Sequence, residues 1–194
     1  MKTFLIELKT SILLTLILAV VTCGAYPLIV YGAGKLAFHH QADGSLIESD
    51  GKVVGSALLG QPFASAKYFH PRPSAAGTGY DASSSSGTNL GPTSQKLLDA
   101  VKAAAEQYRA ENQLTAETLI PADAVTSSAS GLDPHISVAN ARLQAKRVAT
   151  ARQVSEADIE AEIAKATDQP TFGILGDAGV NVLVLNLALD ARSK

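Results

Sequence analysis

The chain has 194 residues, a formal net charge of −2 at pH 7, 46% hydrophobic and 5% aromatic residues, and one cysteine. A near-neutral balance without a basic stripe excludes the electrostatic footprint of a nucleic-acid binder. A lone cysteine excludes an intrachain disulfide framework and a thiolate metal centre.

The first predicted element is an apolar stretch, Ile12 to Leu36, set inside about 25 residues between Lys9 and Lys35 that carry no charge. A helix of that length reaches roughly 38 Å against about 30 Å of hydrocarbon, so it spans a bilayer with tilt or a kink. The competing reading is a cleaved signal peptide or, through Cys23, a lipoprotein signal. The apolar run continues through Leu28, Ile29, Val30 and Tyr31, longer than a secretory core needs, and Thr22 is bulky for lipoprotein cleavage. A retained span divides the chain into a tail over 1–10, a transmembrane helix over 11–38 and a soluble domain over 39–194. Lys2 and Lys9 before the span lean toward a cytoplasmic N-terminus and an extracytoplasmic domain.

Within the span Ser11, Thr15, Ala19 and Cys23 recur every four residues, a face of small side chains where a partner helix can dock, or an ordinary lipid-facing surface with chance spacing. Pro27, with Gly24 before it, predicts a kink over Cys23 to Pro27. Beyond Phe38, 13 Lys and Arg stand against 17 Asp and Glu, and roughly 155 residues make one ordinary domain with its own core.

Ser45 to Ile47 and Lys52 to Leu59 flank Asp50-Gly51, a hairpin signal, and Gly55 marks a bulge or a close approach. Tyr68-Phe69-His70-Pro71-Arg72-Pro73-Ser74 is an aromatic and basic cluster stiffened by proline. His70 has no second ligand at metal spacing and reads as a packing residue. Tyr80 to Ser94 is a Ser and Gly-rich surface loop. A helix opens at Pro92 and runs to about Glu111, with Leu97, Val101, Ala104 and Tyr108 as its apolar stripe, widened by Leu98 and Ala105.

Leu119 to Thr126 predicts a short strand interrupted by Pro121. Ser137 caps a helix to about Arg152, whose basic face carries Arg142, Lys146 and Arg147. Ser155 caps another, with Asp158 at its third position, a Val154 to Ile159 staple, and Ile159, Ile163 and Ala166 buried. The glycines from Gly173 to Gly179 precede a strand, the reverse of a dinucleotide fingerprint. Val180 to Leu189, apolar on both alternating faces, predicts a buried central strand. The fold class is α+β: one N-terminal transmembrane helix followed by a single soluble α+β domain.

The sequence holds no GxxxxGK[ST] loop, HExxH helix or serine elbow. Asp133, His135 and a serine from Ser127 to Ser130 supply the residue types of a hydrolytic triad, but so close together on a turn they serve local amides more often. A membrane-anchored extracytoplasmic hydrolase and a free-standing binding protein are the alternative functions.

These segments, in order, resemble the C subunit of the bacterial Kdp-type potassium-transporting P-type ATPase. The resemblance rests on Tyr26-Pro27-Leu28, Gly44 to Ile47, Gly55 to Gln61, Tyr68-Phe69-His70 with Arg72 to Ala75, Ser86 to Leu90, Val125 to Ile136, Arg147-Val148-Ala149 with Ala151-Arg152, and Val180 to Asp190. It implies a single-span, non-catalytic accessory subunit in the bacterial inner membrane, beside a channel-like potassium-translocating subunit, a catalytic subunit and a small membrane peptide. It further implies a chaperone that raises the catalytic subunit's affinity for ATP. No cofactor is then tightly bound, ATP entering through the complex, and Gln144 matches a glutamine linked to nucleotide. With the domain inside the cell, Arg147, Ser130, Gly131 and Asp133 would join it at phosphate or ribose. With the domain outside, the influence on ATP is indirect, through the span.

Overall fold

The computed structural model describes residues 1–49 and 51–192. It divides into a helical unit over 1–46 and a mixed unit from Ile47 onward.

In the helical unit, α1 (Lys2–Ala19) passes through a π-helical turn (Val20–Ala25) into α2 (Tyr26–Ala37). The helix is 36 residues long, long and apolar enough to cross a membrane. It begins at Lys2, so the residues read as a tail belong to the rod. The π turn lies just ahead of Pro27, whose missing amide hydrogen and ring disturb the preceding ladder. No residue of the rod is buried within the structure. A short helix, α3 (His39–Ala42), follows, and Lys35 pairs with Asp43 across it.

The mixed unit opens with a two-stranded sheet of β1 (Leu46–Ser49) and β2 (Lys52–Ser56). This is the predicted hairpin with shifted ends: Ser45 stands before it at φ +50°, and the second strand stops at Ser56 rather than Leu59. Asp50 of the predicted turn lies outside the described residues. Gly55 is a close approach, because a Cβ there would sit 2.8 Å from Leu183 Cδ2 and against the Gln61 amide.

The next helix, α4 (Gln95–Asn112), starts three residues after Pro92, with Ser94 in extended conformation before it. Its stripe faces inward through Leu97, Val101, Ala104 and buried Tyr108, but Leu98 is 53% exposed and does not widen it. The strand expected over Leu119 to Thr126 is absent. Leu119 is exposed, and a 3-10 turn (Ala122–Ala124) follows Pro121. Asp123 in that turn accepts hydrogen bonds from the Ser137 backbone N–H and hydroxyl, at 2.8 and 2.9 Å, so the segment serves a helix entrance and not a ladder.

A three-stranded antiparallel sheet has the order β3 (His135–Ser137), β5 (Gly179–Asn181), β4 (Thr167–Asp168). Ile136 faces Val180, and Thr167 faces Val180 from the other edge. Two of the strands run straight into helices. β3 enters α5 (Val138–Arg152), where Ser137 caps by accepting from the Asn140 N–H at 3.1 Å. β5 enters α7 (Val182–Arg192), where Asn181 Oδ1 accepts from the Val184 N–H at 3.2 Å.

The region expected as one central strand, Val180 to Leu189, is thus central strand for two residues and helix for the rest. Val182, Leu185, Asn186 and Leu189 are buried at i, i+3, i+4 and i+7, the pattern of a helix face, and Leu183 beside them is buried as well. β5 pairs with three residues of β3 and two of β4, and the chain turns helical directly after Asn181. Between α5 and α7 lies α6 (Glu156–Lys165), capped by Ser155, which accepts from the Asp158 N–H at 3.1 Å. Ile159, Ile163 and Ala166 are buried as predicted.

The core gathers Ile136, Val148, Ile159, Ile163, Val180, Leu185 and Leu189 around Phe69, which is fully buried. Arg147 is 9% exposed and not on the solvated basic face with Arg142 and Lys146. Five residues beyond Arg142 is about 140° around the helix, which turns Arg147 inward.

Candidate functional site

The site grows from α5, which presents Asn140, Gln144 and Arg147 on one face at spacings of four and three. All three are buried. A polar group in such a place must find partners or cost about 1–3 kcal/mol, and here the partners come from an irregular stretch, residues 66–70.

Gln144 treats the His70 backbone as a strand neighbour would. Its Oε1 accepts from the His70 N–H at 2.8 Å, and its Nε2 donates to the His70 carbonyl at 3.0 Å. The same Oε1 accepts from Arg147 Nη2 at 2.8 Å, and Nε2 also donates to Asn140 Oδ1 at 2.9 Å. Two donors and two acceptors exhaust the amide. From α7, Asn186 does the same for Phe69, accepting from its N–H at 2.8 Å and donating to its carbonyl at 3.0 Å. Arg147 Nη1 donates to the carbonyls of Ala66 and Tyr68, at 2.7 and 2.9 Å, and Arg152 Nε to that of Lys67 at 2.7 Å. Five consecutive carbonyls, 66 to 70, are therefore each held by a side chain. The stretch has no ladder of its own, and these helices supply one.

Behind it, Asn112 Oδ1 accepts from Arg147 Nε at 2.9 Å, and the Tyr108 hydroxyl donates to Asn140 Oδ1 at 2.7 Å. Burial, with Asp123 and Glu111 nearby, pushes the Tyr108 phenol up and keeps it neutral. Arg147 is lowered by burial but stays charged, as an arginine with four donors engaged must. The His70 ring lies between the Ser65 carbonyl, 3.1 Å from Nε2, and Glu111, 3.0 Å from Nδ1. Burial first and Arg147 second hold its pKa below the usual imidazole range. A cleft of about 300 Å³ opens beside it, lined by Pro71, Pro73, Gln107, Tyr108 and Glu111 among others.

Ser130, Gly131 and Asp133 form a separate turn. Asp133 accepts from Arg72 Nη1 at 2.8 Å and, through its other oxygen, from the His135 N–H at 2.9 Å. Ser130 Oγ accepts from the Leu132 N–H at 3.1 Å, and the Ser130 carbonyl from the Ser86 N–H at 3.0 Å. The serine-rich loop over 80–94 is thereby fastened to the turn. Gly131, at φ +68°, allows it, since a Cβ would meet the Ser86 carbonyl at 2.5 Å and the Ala76 nitrogen at 2.7 Å.

The structure thus brings Gln144 and Arg147 into contact, and Ser130, Gly131 and Asp133 into one turn. Among the described residues no hydrogen bond joins the two groups, and segment 70–74 runs between them. The triad types do not assemble: His135 Nε2 bonds Asp168 at 2.8 Å, its Nδ1 stands 3.8 Å from Asp133, beyond hydrogen-bond distance, and Ser130 and Asp133 serve local amides. No cluster of three or more His, Cys, Asp or Glu suited to a metal occurs among the described residues.

The sequence reading missed Asn112, Asn140 and Asn186. Asn186 carried a signal, a lone amide in the apolar run Val-Leu-Val-Leu-Asn-Leu. In the rod, the Ser11 and Thr15 hydroxyls donate to the carbonyls four residues earlier, at 2.9 and 2.8 Å. They are small and already satisfied, and Cys23 is exposed within the π turn.

The family model for the K+-transporting ATPase, c chain (KdpC), matches residues 8–191. The chain belongs to the KdpC family. Relatives named potassium-transporting ATPase KdpC subunit include one from Mycobacterium bovis (strain BCG / Pasteur 1173P2), 56% identical over 184 residues, 95% of this chain and 97% of that protein. Another, from Caulobacter vibrioides, is 60% identical over 169 residues, 87% and 84% of the two chains, and one from Koribacter versatilis is 47% identical over 184 residues, 95% and 94%. The family and the apolar rod together make this a membrane protein.

Proposed function

We propose that the chain is a non-catalytic accessory subunit of an ATP-driven high-affinity potassium pump, needed for assembly and acting as a chaperone that raises the catalytic subunit's affinity for ATP. The observation that carries this reading is family membership across residues 8–191, which takes in both the rod and the mixed domain. Its partners are a channel-like potassium-translocating subunit, the catalytic subunit, a small membrane peptide and the lipid bilayer. The rod docks by its Ser11, Thr15, Ala19 and Cys23 face, through close packing alone, since the Ser11 and Thr15 hydroxyls are spent within the helix.

The soluble domain stands outside the cell, with the N-terminus inside. Gln144 then acts on ATP affinity at a distance, and the filling of all four of its hydrogen-bonding positions inside the domain favours this over direct contact. A direct role for Gln144 and Arg147 requires segment 66–70 to lift from α5, and one that also takes in Ser130, Gly131 and Asp133 must reach across segment 70–74. Omitting the chain from a reconstituted pump is expected to lower both assembly and potassium-stimulated ATPase activity. Full assembly and activity without it would overturn the reading.

A further inference from the structure

Residues Thr171 to Leu175 form a tight hairpin tip that its own domain leaves bare. The Thr171 N–H donates to the Leu175 carbonyl at 2.9 Å and the Leu175 N–H returns the bond at 3.0 Å. The pair encloses three residues, and Phe172 and Gly173, at φ +56° and +76°, take the left-handed region at the centre of a turn closed by the Ile174 N–H donating to the Thr171 carbonyl at 3.3 Å. An aromatic residue there is costly, by about 1–2 kcal/mol, and Phe172 gains nothing within the domain to offset it, being 89% exposed. Ile174 and Leu175 beside it are 80% and 59% exposed.

Three such side chains expose roughly 400 Å² of apolar surface. A freely diffusing partner needs about 800 Å² on each side, so this tip cannot by itself retain a second copy or a soluble protein. It suffices for a partner that shares the same membrane, where the rod already supplies proximity. The charge around it narrows the choice further. No Lys or Arg occurs from Ala166 to Ala191, while Asp168 and Asp177 flank the tip and are exposed. An anionic lipid surface attracts basic rims, not this one. We propose that the 171–175 hairpin is a docking finger that inserts Phe172 and Ile174 into an apolar pocket with a basic rim on a neighbouring integral subunit of the pump.

The proposal rests on the pump-subunit reading, and the test separates the two. The photo-reactive residue p-benzoylphenylalanine, placed at position 172 of the full chain, is irradiated with the assembled pump in its membrane. The expected product is a covalent adduct with another pump subunit. Adducts with lipid alone, with a second copy of this chain alone, or none at all, would overturn the finger. The double substitution F172S and I174S is expected to lower the chain retained by the purified pump about tenfold, the scale of a hot-spot loss, with its thermal unfolding unchanged. Unchanged retention would count against the proposal. A wild-type chain that never co-purifies with the pump sinks both readings, whereas co-purification with a silent probe sinks only this one.

Discussion

Gln144 and Asn186 each hold both backbone groups of one residue, and those residues are neighbours, His70 and Phe69. Replacing either amide by alanine leaves a buried N–H and carbonyl without partners, at about 2–4 kcal/mol. Gln144→Ala and Asn186→Ala are each expected to shift urea unfolding of the full chain in detergent by that amount. The double variant should fall short of the sum, because both act on one segment. Additive losses would show that 66–70 is not one unit.

Glu162 offers a second test at the same scale. Its side chain is buried and accepts from Lys165 at 2.8 Å and Arg192 at 2.9 Å. The Lys165 hydrogen bond first, and the charges of Lys165 and Arg192, hold its pKa below the ordinary 4.5. The folded carboxylate binds its proton less readily than the unfolded one, so its stabilisation is present above about pH 5 and is lost as pH falls through the lower folded value. Glu162→Gln should therefore be less stable at pH 7 and flatter in stability as pH falls below about 5. A variant that retains the wild-type acid slope would place the titration elsewhere.

Among the elements, those whose signals are local were readable from the chain. Ser137 and Ser155 announce α5 and α6 because a cap and its target lie three residues apart. Ser137→Ala is expected to cost about 1–2 kcal/mol and to speed amide exchange most at Asn140, the N–H it caps. The run from Val180 to Leu189 misled because alternation and helical spacing coexist in it, and strand pairing ends at Asn181. The network around Gln144 was opaque for a related reason. Its partners lie 74 residues away for His70 and 79 for Tyr68, and no window on the sequence brings them together. Arg147 shows the same gap: counted as surface charge, it is the centre of the polar core.

On the scale of the whole molecule, the apolar rod is the feature that composition alone revealed, and the soluble domain's class followed from mixed periodicities. The proposed placement of that domain outside the cell is testable at the serine-rich loop. A cysteine replacing exposed Ser84, in a chain lacking Cys23, is expected to react with a membrane-impermeant reagent on intact cells. Protection there, with labelling only after lysis, would move the domain inside and reopen direct contact between Gln144 and nucleotide.

The five carbonyls of 66–70 also set a timetable for synthesis. That stretch leaves the ribosome early, but Phe69 waits for Asn186, 117 residues later, and for nearly the whole polypeptide to be made. Until then its aromatic ring and bare peptide groups stay open to passing chains. A truncation that stops short of α7 should accordingly be cleared by proteases rather than accumulate as a smaller folded product.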